Sequence, residues 1–506
     1  MTLTNQMKTT LAFVTVALVL TGAAVVRLPD RTGRNSVFND QGQKFFPGFS
    51  DPLACSDLEV VEYDNSTANP RQFKVMFKDS RWVIPSHNNY PADAKDRLAK
   101  TAAGVTDLTK DTIRSDRAED HESLGVIDPL DLKAPLKGRG KRVTLRDKSE
   151  KVLADFIIGS EIRDRPGMRY VRVPGQKRTY GVNVKVDLST KFADWIETNL
   201  LKLDATKLRD VTFHNHKVDP EARRVIAGET LKIDRKGSAD PWTLEGGVPP
   251  GQELNSDKLT GLTTALSDLK IVGVRTKPPG LSRELKVAAT NDVKVNTNSE
   301  LNSLISKGFY PTRDGLYSNQ GDVVLKTEEG AVYTLRFGEV VFATGEELEA
   351  GSSDTSKSEV KKAQGTAENR YLMVTVSFDP TIVPEPTKPP ETPVFPDDPF
   401  WKVPDDPKRV AELKAAKDKA DREQAERENQ LAEASKKVKD LTDRFADWYY
   451  VTPGDSFRAI ALDRASLVRP KTEPKPTEGG GPPGGFNLPG FPGGAPGGLP
   501  GMPPGR

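Results

Sequence analysis

The sequence has very little cysteine and histidine: one cysteine, Cys55, and four histidines in 506 residues. A single cysteine excludes an intramolecular disulfide framework, a CxxC redox pair and a zinc site built from thiolates. Four histidines leave little material for a metal centre with several imidazole ligands. No histidine or basic cluster stands near Cys55 in the sequence to activate its thiol, so we do not expect a nucleophile there.

Excess charge of either sign is also missing. Lys and Arg total 74 against 72 Asp and Glu, which gives a formal net charge of +2. A dedicated nucleic-acid-binding protein would normally carry a strongly basic domain, so we expect no nucleic-acid partner. A chain of this length usually forms about two to four domains.

Motifs of common active sites are absent as well. The sequence contains no GxSxG, no GxxxxGK[ST] and no GxGxxG after a strand. His214 and His216 are spaced to share one face of a strand, but no third metal ligand accompanies them, and a solvated turn is expected. The basic residues 138–142 fit a phosphate contact or, more simply, a hairpin turn facing water. We therefore predict a protein that is not an enzyme, with no catalytic, cofactor-binding or metal-binding residues and no cofactor.

One long uncharged apolar segment lies near the N-terminus, at residues 9–26. Its length is at the short limit for crossing the hydrocarbon core of a bilayer, so it is either a retained anchor or a cleaved signal peptide. Residues 22–24 make a poor cleavage site, which favours a single-pass anchor over residues 1–34, followed by a linker at 35–56. Three arginines follow the segment and Lys8 alone precedes it, which taken by itself favours a cytoplasmic body.

The body contains an internal repeat, with one copy at residues 57–205 and a second at 206–468. Each copy reads as two strands, a tryptophan, a turn, an amphipathic helix and further strands in one order. The aligned segments are 58–65 with 208–215, 73–77 with 230–233, Trp82 with Trp242, 98–108 with 259–269, 125–129 with 308–314, 156–159 with 335–338, 169–173 with 370–374, and the identical Phe-Ala-Asp-Trp at 192–195 and 445–448.

Each copy predicts an α+β module, a sheet with one apolar face covered by an amphipathic helix. The helix places Leu98, Val105 and Leu108 on one stripe in the first copy. Trp82 and Trp242 are expected to cap the core between sheet and helix, and Trp195 and Trp448 are likewise expected to be buried. The fold class is thus two tandem sheet-plus-helix modules behind an N-terminal transmembrane helix.

The second copy has an insertion that the first lacks, consisting of a Pro-rich acidic linker at 383–407 and a long charged helix at 408–444. Acid-to-base pairs four residues apart, such as Asp418 with Arg422 and Glu433 with Lys437, favour a solvated helix. An apolar stripe appears only in its last turns, so we expect that end to pack and the rest to face solvent, while pairing with a partner helix stays open. Residues 469–506 are rich in Pro and Gly and predict a disordered tail.

Several short motifs of the body resemble the bacterial domain-of-unknown-function 4340 family. They are Phe-Pro-Gly-Phe at 46–49, Trp-Val-Ile-Pro-Ser at 82–86, Asn-Tyr-Pro-Ala-Asp-Ala at 89–94, Leu-Gly-Val-Ile-Asp-Pro at 124–129, Phe-Ile-Ile-Gly at 156–159 and Tyr-Val-Arg-Val at 170–173. The resemblance covers about residues 45–380 and implies one N-terminal membrane segment with the body outside the cytoplasm. No catalytic residue is established for such proteins, and some are associated with gliding-motility or ABC-type transport complexes.

Together these features predict a membrane-anchored, extracytoplasmic, non-catalytic binding or scaffold protein on the periplasmic side of the cytoplasmic membrane. The long helix and the tail are the expected contacts for an unidentified protein partner. Two alternatives stay open: an auxiliary subunit of an ABC-type transport or gliding-motility complex, and a hydrolase of the cell envelope, which would need polar groups that converge in a cleft.

Overall fold

The computed structural model describes residues 40–65, 68–186, 188–222, 224–278, 281, 285, 298–312, 315–341, 345–350, 368–386 and 407–471. The apolar segment 9–26 and most of the Pro/Gly-rich tail, on which the anchor and disorder predictions fall, lie outside these residues. Among the helices described, none is both long and apolar enough to cross a membrane.

The described chain is a mixed α+β structure, as predicted. Its first nine-stranded antiparallel sheet and two helices come from the first module. These elements are β1 (Asp57–Asp64), β2 (Asn69–Lys78), β3 (Arg81–Ile84), β4 (Tyr90–Pro91), α1 (Lys95–Thr106), β5 (Thr112–Ser115), α2 (His121–Leu124), β6 (Lys141–Arg146), β7 (Val152–Glu161), β8 (Met168–Arg172) and β9 (Thr179–Asn183).

The second module contributes an eight-stranded antiparallel sheet, three two-stranded ribbons and six helices. Its elements are β10 (Leu208–His214), β11 (Lys217–Asp219), β12 (Arg224–Ile226), β13 (Thr230–Asp234), β14 (Thr243–Leu244), β15 (Gln252–Leu254), α3 (Ser256–Ser267), β16 (Gly273–Thr276), α4 (Asn298–Ser306), β17 (Phe309–Thr312), β18 (Gly315–Ser318), β19 (Asp322–Thr327), β20 (Ala331–Val341), α5 (Gly345–Ala350), β21 (Asn369–Phe378), α6 (Pro407–Phe445), β22 (Trp448–Pro453), α7 (Gly454–Ile460), α8 (Arg464–Leu467) and β23 (Val468–Pro470). Short 3-10 helices span Pro52–Ala54, Pro85–His87, Ala118–Asp120, Phe192–Trp195, Ala205–Lys207 and Pro380–Ile382.

The two large sheets have the same strand order. The first runs β4-β3-β2-β1-β6-β7-β8-β9-β5 and the second β14-β13-β10-β19-β20-β21-β22-β16. When β10 is placed on β1, every strand of the second sheet finds a counterpart in the first, and β4 is the only extra strand. The aligned segments that begin at Leu58 and Leu208 form the corresponding strands β1 and β10, and those that begin at Arg169 and Arg370 form β8 and β21.

Both sheets also contain the same glycine–arginine bulge. The register of the ladder shifts next to Gly159 in β7 and next to Gly338 in β20. In each case an arginine of the neighbouring strand donates to the glycine carbonyl, from Arg169 Nη2 at 2.8 Å in the first sheet and from Arg370 Nη1 at 3.1 Å in the second. Because a bulge leaves a ladder carbonyl unpaired, the guanidinium satisfies an acceptor that the neighbouring strand does not reach.

One amphipathic helix covers each sheet. Leu98 and Val105 of α1 are buried, as are Leu262 and Leu266 of α3. The Asn255 side chain accepts a hydrogen bond from the backbone N–H of Lys258 and so caps the N-terminus of α3. The helical spacing in the sequence therefore predicted the buried faces correctly.

A single hydrophobic cluster runs through both modules. The ring of Tyr90 lies 5.3 Å from that of Trp448 in an edge-to-face contact that joins the first module to the second. Trp82 and Trp242 are partly buried and pack against this cluster, in agreement with the expected capping role. Trp195 is fully buried and Trp448 nearly so, also as predicted.

The predicted equivalence of the two Phe-Ala-Asp-Trp segments is wrong. The segment Phe192–Trp195 is a 3-10 helix that follows β9, whereas Trp448 begins β22, the counterpart of β9. The second copy of the motif therefore precedes the strand that the first copy follows. All four aromatic side chains of the two segments are buried, but Phe192 and Trp195 lie in one 3-10 helix, whereas Phe445 ends a long helix and Trp448 begins a strand.

Residues next to the modules also take part in the fold. Phe45 and Phe49, in the segment expected to be a linker, are buried in the main cluster. Arg469 and Pro470, at the expected start of the tail, pair with β15 as part of β23. The described body therefore includes residues on both sides of the two predicted modules.

Candidate functional site

Helix α6 is the insertion that distinguishes the second module from the first, and it lies across the second sheet with its C-terminal turns. Ala434, Val438, Leu441 and Phe445 are buried, and Leu431 is half-buried. These side chains follow the three-and-four spacing of an amphipathic helix. The structure therefore confirms that the last turns pack on the body.

The first part of α6 faces solvent. Between residues 408 and 430 every side chain that the structure describes is exposed or half-exposed. At about 1.5 Å per residue, the 39 residues of α6 span roughly 58 Å, of which about half lies beyond the packed turns. The arrangement presents a rigid charged helix to solvent.

The C-terminus of α6 is held by a buried lysine. Lys277 Nζ donates to the carbonyl of Phe445 at 2.8 Å, at the end where the carbonyls of a helix carry partial negative charge. Burial lowers the pKa of Lys277 to about 8, although the nearby Asp447 opposes that shift. Arg444 Nη2 donates to the carbonyls of Glu197 and Asn199 at 2.9 and 2.8 Å, so it ties the helix to the segment between the modules.

A cavity of about 480 Å³ lies between α6 and the turn that joins β19 to β20. Glu329 stands in it between two lysines: it pairs with Lys207 and lies 3.0 Å from Lys437 Nζ through Oε2. Burial tends to raise the pKa of Glu329, but the hydrogen bonds from the two lysines outweigh it and lower that pKa. The bond to Glu329 raises the pKa of Lys207. The ionised carboxylate thus fastens α6 to the sheet.

Basic residues of α6 bind mainly outside the helix rather than to the acids four residues before them. Arg427 Nε donates to the carbonyl of Pro384 at 3.1 Å, Lys437 pairs with Glu329, and Arg444 binds the segment between the modules. The predicted pair of Glu433 with Lys437 is replaced because Glu329 lies within reach of the long lysine side chain. Lys419 and Glu423, 3.6 Å apart on the exposed part, form an i, i+4 pair of the opposite order, with the base before the acid.

The histidine pair lies at the end of β10 and does not form a solvated turn. His214 Nδ1 is 3.4 Å from the hydroxyl of Thr230, while His216 is largely buried with its Nε2 4.0 Å from Asp322 Oδ1. Burial lowers the pKa of His216, and burial also raises the pKa of Asp322 despite the nearby Arg336. Among the described residues, no three His, Cys, Asp or Glu side chains are grouped as metal ligands.

In the part of the chain that the structure describes, these histidines do not form a hydrolytic triad with a serine. Ser318 is fully buried, and its hydroxyl donates to the carbonyl of Gly321 and approaches Asp322 Oδ1 at 3.3 Å. His216 contacts the edge of the Tyr317 ring instead of the serine hydroxyl. The cluster is a buried polar network that joins β18, β19 and β20.

Two further sequence candidates are structural. Cys55 is buried, and burial raises the pKa of its thiol to about 11, which keeps it protonated and unreactive at neutral pH. Residues 138–142 were expected to form a water-facing hairpin turn, but Lys141 and Arg142 lie in β6. The Arg142 guanidinium pairs with Asp128 at 2.9 Å and with Asp155 at 2.7 Å. A phosphate would have to displace these carboxylates.

Nothing in the local sequence marks Lys277, Glu329 or Pro384 as contacts of the long helix. Lys277 is separated from Phe445 by 168 residues and Glu329 from Lys437 by 108 residues. No local pattern marks such pairs, and only the order of strands in the second sheet brings them together.

A family comparison covers the region from β3 to just beyond β16. Residues 82–286 match the model of the family described as Domain of unknown function (DUF4340). No curated protein and no solved structure matches the chain. This region of the chain is therefore similar to the DUF4340 family.

Proposed function

We propose that this protein is a non-catalytic, membrane-anchored binding protein, and that the exposed half of α6 is the surface that receives its protein partner. The observation that carries the proposal is the division of α6 into a packed half and a solvent-facing half. A helix that needed only to complete the body would end where its buried stripe ends. The additional turns hold charged side chains in solvent on a helix whose direction relative to the body is fixed, and this suits recognition by another protein.

The way in which α6 is fastened supports a role in display. Lys277 fixes its C-terminus, Arg444 ties it to the segment between the modules, and Glu329 holds it to the sheet. Since the packed end is held from three directions, the exposed half has a defined orientation relative to both sheets. Binding of a partner would then cost little conformational entropy, because the helix is already held in one orientation.

We also infer that the two modules arose by tandem duplication, with α6 inserted later between the counterparts of β8 and β9. The shared strand order and the repeated glycine–arginine bulge support this inference. The common core makes the two modules one rigid support for α6. A rigid support with no open cleft of convergent catalytic groups among its described residues fits a scaffold better than an enzyme.

Membrane attachment through residues 9–26, with the body outside the cytoplasm, is the second part of the proposal. It is supported by the length and apolar composition of that segment. The side that the body occupies is tested by adding protease to intact cells without a cell wall and to lysed cells. Cleavage of the body in intact cells is expected, whereas protection until lysis would place the body in the cytoplasm.

Partner binding is tested by site-specific photo-crosslinking in cells that contain the natural partner. A photoreactive residue is placed at Ala425, on the exposed half of α6, and in a matched variant at Lys436, an exposed position on the packed half. A defined adduct at Ala425 and none at Lys436 is expected. Equal adducts at both positions, or none at Ala425, would contradict the assignment of the partner surface.

The adduct also separates the proposal from its alternatives. An ATPase or permease component in the adduct would identify the protein as an auxiliary subunit of a transport complex. A peptidoglycan or other polymer fragment, with turnover, would point to a hydrolase of the cell envelope instead.

A further inference from the structure

The loop of the first module between α2 and β6, residues 128–139, carries three exposed leucines, and we call it the leucine loop. Leu132 is 80 % exposed, Leu136 59 % and Leu130 45 %. Single exposed leucines are common on protein surfaces, but three in one short loop form a patch that normally marks a contact.

The leucines are exposed because the interior of the loop is filled by one arginine. The Arg139 guanidinium donates to the carbonyls of Pro135 at 3.1 Å, Ala134 at 2.9 Å and Pro129 at 3.0 Å. Its other side stacks on the ring of Tyr63, 4.3 Å from the centroid. With its carbonyls turned inward onto a fixed cation, the loop holds its apolar side chains outward in a defined shape.

In the second module the apolar residues at the corresponding position are buried rather than exposed. There the chain between α4 and β19 forms the β17–β18 hairpin, in which Phe309 and Leu316 are buried. They pack with Leu304 and Tyr449 in a small cluster of their own. The exposure of the leucines is therefore a property of the first module alone and is not required by the shared fold.

Two lysines flank the leucines within the loop. Lys133 and Lys137 are exposed, and neither forms an ion pair with another residue that the structure describes. Of the two acidic residues of the loop, Asp128 pairs with Arg142, whereas Asp131 is exposed and keeps its charge while its Oδ1 accepts the backbone N–H of Lys133 at 3.0 Å. The other nearby carboxylates, Glu119 and Glu122, line the cavity on the side of α2. Apolar side chains flanked by free lysines are the composition that binds an anionic membrane interface.

The loop also lies at the end of the module where the chain arrives from its N-terminal segment. Asp40, where the described body begins, accepts a hydrogen bond from Tyr180 at 2.5 Å and pairs with Arg178 at 3.5 Å. The carbonyl of the adjacent Lys177 accepts from His121 Nε2 at 2.8 Å, and His121 shares a cavity of about 490 Å³ with Pro135 and other residues of the loop. The thirteen residues 27–39 can reach at most about 45 Å, so an anchor at 9–26 would keep this end of the body near the bilayer.

We propose that the leucine loop enters the interface of an anionic lipid membrane, with its three leucines at the acyl boundary and its two lysines against lipid phosphates. This inference rests on the proposed membrane attachment and adds a second contact to it. A single span leaves the body free to rotate, whereas two contacts fix its orientation and so the direction in which α6 points.

The test places an environment-sensitive fluorophore in the loop of the full-length chain. Leu132→Cys supplies the label site, because the natural Cys55 is buried. Val152→Cys is the matched control, because Val152 is also exposed, by 51 %, but lies away from the loop. It begins β7, and the opposite end of that strand, at Gly159, is the end that lies next to Arg139 of the loop. Each labelled protein is mixed with vesicles of phosphatidylcholine, with or without phosphatidylglycerol, and with lipids brominated in their chains.

The expected result is a blue shift and at least twofold quenching by brominated lipid at position 132 but not at position 152, stronger with phosphatidylglycerol. Lys133→Glu with Lys137→Glu should remove the preference for phosphatidylglycerol. If the chain is bound to the vesicles but the label at position 132 remains in water, the proposed loop contact is wrong. The same label shifting only in native membranes would indicate a protein partner and also overturn it.

Membrane attachment is read separately by floating the vesicles after an alkaline carbonate wash. A chain that resists the wash while the label at position 132 stays in water retains its anchor and loses the loop contact. A chain that is washed off, but whose label at position 132 is quenched before the wash, supports the loop contact and contradicts the anchor. A chain that never floats contradicts both.

Discussion

Replacing Gly338 by alanine tests the bulge on which the similarity of the two modules rests. A Cβ atom at this position would strike the backbone carbonyl of Lys307, just after α4, and would lie 2.9 Å from Cζ of Phe309. Neither contact can be relieved by rotating a flexible side chain. The β20 strand would have to move away from α4, and this would stretch the hydrogen bond from Arg370 to the Gly338 carbonyl.

The magnitude follows from three opposing contributions. Overpacking of a buried site costs about 1–3 kcal/mol. Weakening a hydrogen bond from a charged donor costs up to about 1.5–3 kcal/mol. The lower entropy of the unfolded chain with alanine offsets about 0.4–1 kcal/mol. We therefore expect Gly338→Ala to lower the free energy of unfolding by about 2–5 kcal/mol.

Gly159→Ala should have a similar effect, because a Cβ there would strike the carbonyl of Leu124 and lie 2.6 Å from Cγ1 of Val126. The matched control is Gly261→Ala in α3, where a Cβ would meet nothing within 4 Å. Alanine is the better helix former, so this control should raise the free energy of unfolding by about 0.5–1 kcal/mol.

The assay is urea denaturation of the purified chain, followed by circular dichroism and tryptophan fluorescence. The two bulge variants should shift the midpoint to lower urea and the control should shift it to higher urea. If Gly338→Ala and Gly159→Ala behaved like Gly261→Ala, the reasoning about the bulge would be refuted. If only one of them were destabilised, the two bulges would not be equivalent.

The remaining predictions concern the fastening of α6 and the lone thiol. The pKa of Lys277 falls from 10.5 in the unfolded chain to about 8 in the folded protein, so the unfolded state binds more protons between these two pH values. The stability that this group contributes therefore rises as the pH increases from 8 to 10.5, and it is lost as the pH falls through 8. The stability of the natural chain relative to Lys277→Met should thus improve by about 2 kcal/mol between pH 7.5 and pH 9.5 in urea titrations, and a constant difference would contradict the buried position of the amine. Glu329→Gln weakens the bonds to Lys207 and Lys437, so amide hydrogen exchange should increase in the second half of α6 but not in α3; equal exchange in both helices would show that the carboxylate does not fasten α6. Cys55 should stay unreactive toward a thiol reagent at pH 8 in the folded protein and react fully in urea, and rapid labelling without urea would mean that its site is open.

The local patterns of the sequence were sufficient to determine the elements and much of the core. The repeated segments 73–77 and 169–173 marked the strands β2 and β8, and the spacing of the leucines in α1 and α3 marked the faces that are buried. The aligned segments of the two copies occupy corresponding strands because both copies have the same hydrophobic periodicity and the same glycine positions, which can be read directly from the sequence. The packed end of α6 was visible for the same reason.

Only the tertiary structure decided which distant groups meet. One Phe-Ala-Asp-Trp segment follows β9 in the chain, whereas the other leads into β22, the strand that corresponds to β9. The identity of the residues alone does not show this difference. The contact of Lys277 with Phe445 and the exposure of Leu132 depend on strand order and on the filling of a loop by Arg139. Periodicity reports which face of an element is apolar, but the partner of that face, or its lack of one, is set by contacts between residues far apart in the chain.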